Sequence, residues 1–587
     1  MKEVLFNEAL NSGGYVVDFA MGTTYNMDLQ ALLSVPISLG FMGELNDSFI
    51  KSPHYLLEAI RKSADSFIVF NNAGQISVPS NANRVYSLLE QSVIQITMPC
   101  KGKSLNNFHP KIWVIKETDH DINKSQLKVI VMSRNLSYSN NIDVISEFVG
   151  EIKNQVASIK QHEKHRPLRD FMIWLSNKAK GKKRKQIIGL CDCLDRVQTF
   201  NLDGTPFCDY DFFPMGIDGY NGKDTCLNPL MNHLQHTIVI SPFVDKQTLN
   251  TFANSHHIGK HTLITRHNNI TPELITMFND GVYAVRDCLT DKDENDISVD
   301  IHEKVYYTDK ADTGEHFMYL GSTNATNNGF CNNIEFLIRF KFTPNIMSYN
   351  KFRSEFINDL KECLFEPVTE VTEDDTDKID ITDELELRRA ISSIRNAEII
   401  AKENDIYDIQ VTCKQVRLND DINVYLYPMY NPAARQNLSE SMTFKNIDLT
   451  DLTEFYVIQV GKTSRLIKIE TKNLPVKERD TAIFQSIINT KEKFINYLSF
   501  MLTDDTEEFM CEMEELTQSC PNDSSVRNEK ELSLNLYEDM VKLSYTEPDR
   551  IKDIRDIVEK FNKDVVPEDF INMYAQFDNA IKKIHNV

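Results

Sequence analysis

Residues 109–115, His-Pro-Lys-Ile-Trp-Val-Ile, and residues 302–307, His-Glu-Lys-Val-Tyr-Tyr, open two stretches that follow one sparse pattern. Ser133-Arg-Asn135 and then Glu147 come after the first; Ser322-Thr-Asn324 and then Glu335 come after the second. His-x-Lys alone is a short pattern, and a third copy, His162-Glu-Lys164, lies between the two. Context separates them. Both outer copies run into β-branched and aromatic residues of strand type, whereas His162 leads into Lys164-His-Arg-Pro167, which is no strand. Each outer copy continues into a second apolar run, residues 127–132 or 316–320, that ends in Ser-x-Asn, and each then supplies a Glu followed by Phe.

In extended chain, residues i and i+2 face one side, so His109 projects with Lys111 and His302 with Lys304. A single pair of this kind reads as the wet face of a half-buried edge strand. Two pairs, each with Asn and Glu, read as halves of one composite centre. Imidazole is a nucleophile when neutral and a general acid when protonated, and its unperturbed pKa gives access to both forms near neutrality. One His can attack phosphorus to form a phosphohistidine while the other protonates the departing oxygen and then activates water. Lys111, Lys304, Asn135 and Asn324 would surround the non-bridging oxygens with charge and donors. Glu147 and Glu335 are the expected acceptors for the other ring N–H of each His, fixing tautomer and orientation. This chemistry requires no metal and no cofactor.

These motifs resemble the phospholipase D superfamily, whose His-x-Lys continues through four residues to Asp and is followed by Gly-Ser-x-Asn. The second copy fits with His302, Lys304, Asp309 and Gly321-Ser322-Thr-Asn324, while the first has Lys116 and Met132 where Asp and Gly belong. Loss of that Asp is similar to the tyrosyl-DNA phosphodiesterase branch. The resemblance implies that His109 is the nucleophile and His302 the acid, with Ser133, Asp309 and Ser322 in support. It also implies an α/β fold of two lobes sharing one site.

Strand and helix patterns alternate ahead of each motif. Residues 66–70 and 93–97 read as strands flanking a helical stretch near Arg84; residues 236–244, 262–265 and 282–285 read as strands around a helix from Gln247. The expected division is a first lobe at 1–160, an insertion at 161–230, a second lobe at 231–365, an acidic linker and helix at 366–400, and a C-terminal accessory domain at 401–587. The linker's helix, over 385–402, leads to the last, which reads as short strands at 407–413, 424–427, 455–460 and 466–470, then helices from about 480 to 502 and from 532 onward. It shows no catalytic constellation and is suited to partner contacts or self-association.

At 587 residues and 41% hydrophobic, the chain has enough apolar material for several packed domains. Its 11 cysteines form no CxxC pair and its 14 histidines are scattered, so a zinc module has little support and a reducing, cytoplasmic setting is expected. The apolar stretch 31–43 is short and contains Pro36, so no membrane anchor is expected. A formal net charge of -22 argues against indiscriminate nucleic-acid binding. Part of that charge is the acidic run within 366–386, and a basic run, Lys182, Lys183, Arg184 and Lys185, could track a polynucleotide backbone beside the centre. The leading expectation is thus a metal-independent nuclease; by analogy of layout, its setting would be bacterial restriction or anti-phage defence. A phospholipase or small phosphodiesterase, and a nucleic-acid-binding subunit with a residual site, are the alternatives.

Overall fold

The strands that follow the two His-x-Lys tripeptides lie at the middle of two sheets built to one plan. The computed structural model describes residues 9–10, 14–40, 53–99, 106–138 except 121, 141–253, 259–286, 300–357, 364–371, 382–502 except 404 and 415–421, 529–546, 554, 558 and 565–585. The first sheet holds β1 (Val16–Thr24), β2 (Phe67–Asn72), β3 (Val93–Ile96), β4 (Ile112–Asp119), β5 (Lys124–Met132) and β6 (Ile145–Glu151), in the order β3-β2-β1-β4-β5-β6. β1, β2 and β3 are parallel; β4 returns antiparallel to β1, and β5 and β6 continue as a meander. The second sheet contains β7 (Phe207–Met215), β8 (Leu234–Ile240), β9 (His261–Ile264), β10 (Val282–Val285), β11 (Val305–Lys310), β12 (His316–Gly321), β13 (Glu335–Phe342) and β14 (Phe365–Pro367). Its order, β14-β10-β9-β8-β11-β12-β13-β7, repeats the first plan from β10 to β13 and adds one strand at each edge.

The pattern follows from burial. Parallel strands need crossovers that cover their faces, so they read as unbroken apolar runs, and Phe67-Ile-Val-Phe70 is buried at every position. Helices Leu29–Gly40 and Pro53–Ser63 cross from β1 to β2, and helix Lys246–Ala253 crosses from β8 to β9. The inner faces of the two sheets meet in one core, where Val129, Val131 and Phe148 of the first pack with Leu320, Phe336 and Phe340 of the second. The helices Ile159–Ser176 and Gly181–Leu194 close that core with Phe171, Leu175 and Leu190, and β7 pairs with β13. The stretch read as an insertion thus supplies a helical layer and an edge strand of the second sheet.

Beyond the linker, β15 (Ile394–Ala401), β16 (Ile406–Cys413), β17 (Val424–Pro428), β18 (Gln436–Asn437), β19 (Ser441–Asp448), β20 (Phe455–Val460), β21 (Thr463–Lys468) and β22 (Thr471–Lys472) form two four-stranded sheets. The helix expected over 385–402 ends at Ser393, and the chain passes directly into β15. Ala397 and Ile399 alternate inward there, a strand period that competes with the helical one in so short a run. β19 was not among the expected strands. Helices Val476–Ile487, Lys491–Leu502, Glu529–Thr546 and Glu568–His585 follow.

These C-terminal elements share a core with the outer face of the first sheet. Leu32, Val35, Ile60 and Leu89 pack with Phe455, Leu466, Ile483, Phe494 and Tyr497. Within this interface Arg479 is fully buried and pairs with buried Glu90 at 2.5 Å. Among the described residues no helix is long and apolar enough to cross a membrane. Residues 372–381, at the middle of the acidic run, lie outside the described residues.

Candidate active site

His109 and Lys111 sit in the extended segment leading into β4, and His302 and Lys304 in the segment leading into β11, one step ahead of the ladders in each case. What fixes these segments is the opposite half of the chain. Phe108 bridges Ile334, and the His109 amide donates to the Ile334 carbonyl at 2.9 Å; Ile301 bridges Ile142, and the His302 amide donates to the Ile142 carbonyl at 2.9 Å. Each histidine is therefore carried by one lobe and held by the other.

The carboxylates cross in the same way. His109 Nδ1–H donates to Glu335 Oε2 at 2.9 Å, and His302 Nδ1–H donates to Asp143 Oδ1 at 2.8 Å. A serine braces each carboxylate: the Ser133 hydroxyl donates to Asp143 at 2.6 Å, and that of Ser322 donates to Glu335. The same hydroxyls accept the amide N–H of Val144 and Phe336, both at 3.0 Å, so Asp143 and Glu335 occupy matching positions. Asn333 Nδ2 donates to the second oxygen of Glu335 at 3.0 Å. With Nδ1 committed, Nε2 of each ring is the nitrogen left for chemistry.

Glu147 does not take the expected role. It is exposed on β6, where it faces Lys128 at 3.6 Å, and the orienting position falls to Asp143, four residues earlier. Alternation alone does not separate the two, since they are four residues apart; what selects Asp143 is the Ser133 hydroxyl, which accepts the Val144 amide and donates to the carboxylate just before it.

The two asparagines follow matching strand ends. Met27 bridges Leu136 and Val244 bridges Ala325, while Thr24 and Ser241 hydroxyls accept the amides of Leu136 and Ala325 at 2.9 and 3.0 Å. Asn135 and Asn324 each precede one of these anchor points. Asn135 Oδ1 receives the Asn26 amide at 3.5 Å, and Asn324 Oδ1 is buried with no hydrogen-bond partner among the described residues. Lys111 and Lys304 are completely enclosed. Lys111 Nζ lies 3.0 Å from His109 Nε2 and donates to the His109 carbonyl at 3.1 Å; Lys304 Nζ donates to the His302 carbonyl.

Enclosure sets the electrostatics. Burial lowers His109 to about 4, against the opposing pull of Glu335. His302 is lowered to about 3, by burial first and then by Lys304, with Asp143 opposing. Burial also brings Lys111 down to about 7 and holds Lys304 well below an ordinary lysine. Asp143 is pushed up by its burial, but its bonds and charge contacts with His302, Ser133 and Lys304 outweigh that and leave it low. The resting centre therefore holds two neutral imidazoles and lysines that lose part of their charge, a state that an arriving anion would reverse. Glu303, between His302 and Lys304, is raised to about 8 by burial and Asp143, so it is protonated at neutrality.

Asp309 lies five residues along β11 from Lys304, about 16 Å at strand rise, near His316 at 3.9 Å. Its counterpart Lys116 pairs with Asp18 at 2.9 Å. Neither reaches the seam, so the missing Asp of the first motif leaves the centre intact.

The basic run is also elsewhere. Lys182 pairs with Asp65 at 2.7 Å, Lys183 donates to the carbonyls of Ala64 and Phe67 at 2.9 and 2.8 Å, and Arg184 donates to Asn177 at 3.3 Å. Asp65, Ala64 and Phe67 mark the start of β2, whereas Asn72, at its end, accepts the Phe108 amide at 2.9 Å beside His109. The length of β2 separates the two places by about 17 Å. Lys183 is spent on backbone carbonyls, and the exposed Lys182, Arg184 and Lys185 line the far edge. His162 sits on the helix Ile159–Ser176 and faces Asp195 at 3.2 Å.

Four participants had no motif to announce them. Tyr25 stands edge-on to the His109 ring with centroids 4.9 Å apart, its phenol raised to about 12 by burial. Arg388, from the linker helix Thr382–Ser393, reaches the residues just before His109. Phe243, 46% exposed, follows β8 next to the Val244–Ala325 bridge, and the Arg266 guanidinium lies 4.7 Å from its ring centroid. Arg266 is fixed by Asp300 at 2.7 Å and by the Ile301 carbonyl at 3.2 Å, beside His302. For Tyr25, Phe243 and Arg266 the sequence cue was position, just past the carboxyl ends of the parallel strands β1, β8 and β9, where α/β sheets bind ligands; Arg388, on a helix, had no such cue.

Among the described residues no group of three or more His, Cys, Asp or Glu is arranged to hold a metal ion. No protein-family profile matches this chain, and no curated protein does. Among solved structures, it is similar to the polyphosphate kinase from Porphyromonas gingivalis, at 10% identity and a TM-score of 0.31, over 59% of this chain and 46% of that one. It is similar also to yeast tyrosyl-DNA phosphodiesterase, at 10% identity and a TM-score of 0.36, over 59% of this chain and 87% of that one. The chain thus spans less than half the length of the kinase.

Proposed function

We propose that this chain is a phosphodiesterase that cleaves nucleic acid through a phosphohistidine on His109. The observation that carries the reading is the crossed pair of carboxylate-oriented histidines, Glu335 to His109 and Asp143 to His302, with two enclosed lysines beside them. His109 Nε2 attacks phosphorus, the P–N bond forms, and the P–O bond to the leaving group breaks as His302 gives up a proton to the departing oxygen. Water then loses a proton to His302 and attacks phosphorus, releasing His109. Lys111, Lys304, Asn135 and Asn324 surround the non-bridging oxygens as charge builds on them.

Polynucleotide is favoured as the substrate by Phe243 and Arg266. An exposed aromatic ring backed by a guanidinium beside the acid suits a base flanking the scissile phosphate. A restriction or anti-phage role is the cellular setting we assign to such a nuclease. The test is incubation of the purified chain with single-stranded DNA, double-stranded DNA, RNA and phosphatidylcholine, all in EDTA. Polynucleotide cleavage that persists in chelator is expected. Cleavage abolished by EDTA would remove the two-histidine mechanism, headgroup release alone would reassign the substrate to lipid, and binding without turnover would make the chain a binding subunit.

A further inference from the structure

The linker helix Thr382–Ser393 belongs to the core of the C-terminal module, where Leu387 and Ala390 are buried among Ile399, Ile409 and Ile458. Its other side lies on the first lobe beside the centre. Gln75 Nε2 donates to Glu384 Oε1 at 3.2 Å, and a side chain at Gly74, whose φ is +75°, would strike Ile391. From this docked helix Arg388 extends toward His109, its guanidinium aligned by Glu384 at 3.1 Å.

Arg388 Nη1 donates to the Asn106 carbonyl at 2.7 Å and Nη2 to Asn107 Oδ1 at 2.6 Å, and the guanidinium's charge pulls against the burial that raises the Tyr25 phenol. From Asn107 the connection continues unbroken. Its amide donates to Asn333 Oδ1 at 2.9 Å, Asn333 Nδ2 donates to Glu335 Oε1 at 3.0 Å, and Glu335 Oε2 accepts from His109 Nδ1 at 2.9 Å. The guanidinium thus holds the segment two residues before His109 and is linked through Asn107 and Asn333 to the carboxylate that orients it. A bidentate fork is suited to fixing two acceptors at once, which a lysine cannot do.

We propose that Arg388 is a positioning residue for His109, through which the C-terminal module sets the geometry of the centre. The inference rests on His109 being the nucleophile of the function proposed above. Its consequence is that the C-terminal module is part of the working enzyme, since a ligand that shifts the linker helix would shift His109 without touching substrate.

The experiment uses the full chain as wild type, Arg388→Ala, Arg388→Lys and Asn107→Ala, with two readouts. Proton exchange at the imidazole N–H groups is measured on protein labelled with ¹⁵N-histidine, using His109→Gln and His302→Gln to assign signals. Exchange at His109 Nδ1 should quicken at least ~10-fold in Arg388→Ala and Asn107→Ala while His302 is unchanged. Hydrolysis of bis(4-nitrophenyl) phosphate should lose at least ~10-fold in kcat with KM within ~3-fold, and Arg388→Ala should recover activity with added guanidinium ion; these magnitudes are the low end for a misplaced catalytic group. Arg388→Lys should fall between, and melting temperatures should report whether each variant is folded. Unchanged His109 exchange in a folded Arg388→Ala overturns the proposal. A wild type that hydrolyses no phosphodiester overturns the proposed function instead, and the exchange readout still decides the role of Arg388.

Discussion

Asp143 and Glu147 are separated by four residues and by what their neighbours do. The Ser133 hydroxyl accepts the Val144 amide and donates to Asp143, which turns Asp143 onto His302, while Glu147 faces Lys128 at the surface. Asp143→Asn should therefore lower kcat by ~100-fold, the scale of losing a positioned acid or base. Glu147→Gln should leave it within a few-fold, and steady-state rates of the two variants check the assignment. The depressed imidazoles also set the pH response. His109, lowered to about 4, stays neutral down to about pH 5, while protonated His302 and charged Lys111, lowered to about 7, both become more abundant as pH falls. A kcat/KM that rises between about pH 8 and pH 5 is expected, and a fall over that range would contradict the neutral resting state. Because both folded values lie below the unfolded value near 6.5, the stability they contribute is intact above that pH and is lost as pH falls toward about 4 for His109 and about 3 for His302.

At the level of elements, the sequence was legible wherever burial imposed a period. β2, β4 and β11 open on runs that are apolar on both faces, Phe67–Phe70, Ile112–Ile115 and Val305–Tyr307, so they read as strands without help from context. β15 reads as helix in the sequence because Ile394 follows Ser393 with no Gly or Pro between them and its inward set, Ala397 and Ile399, is brief. In the candidate site, His109, Lys111, His302, Lys304 and Glu335 were visible because their spacing repeats. Asp143 was not, since it stands eight residues after Asn135 whereas Glu335 stands eleven after Asn324. Tyr25 and Arg388 come from segments distant in the chain, and only folding brings them together. The basic run failed for a different reason. Charge in a sequence does not say which end of a strand it lies beside, and Lys183 is consumed in tying the helix Gly181–Leu194 to the carbonyls at the start of β2.

Across the whole molecule, two lobes exchange carboxylates at a seam while the C-terminal module is built onto the first lobe. The Arg479–Glu90 pair lies in that second junction, where Glu90 also accepts from the Thr453 hydroxyl and the Glu454 amide. Arg479→Ala should cost about 3–5 kcal/mol, because it strands a buried carboxylate. Chemical denaturation should show that loss, and a change under ~1 kcal/mol would mean that the junction tolerates water. The crossed centre itself is tested most directly by trapping its intermediate. A 4-nitrophenyl ester of a nucleotide has a leaving group that needs no proton, so wild type and His302→Ala can be quenched in alkali during turnover and digested for mass spectrometry. A nucleotidyl adduct on the His109 peptide, formed with release of 4-nitrophenolate, is expected to accumulate in His302→Ala and to be absent from His109→Ala; an adduct on His302, or turnover with no adduct, would contradict the assignment.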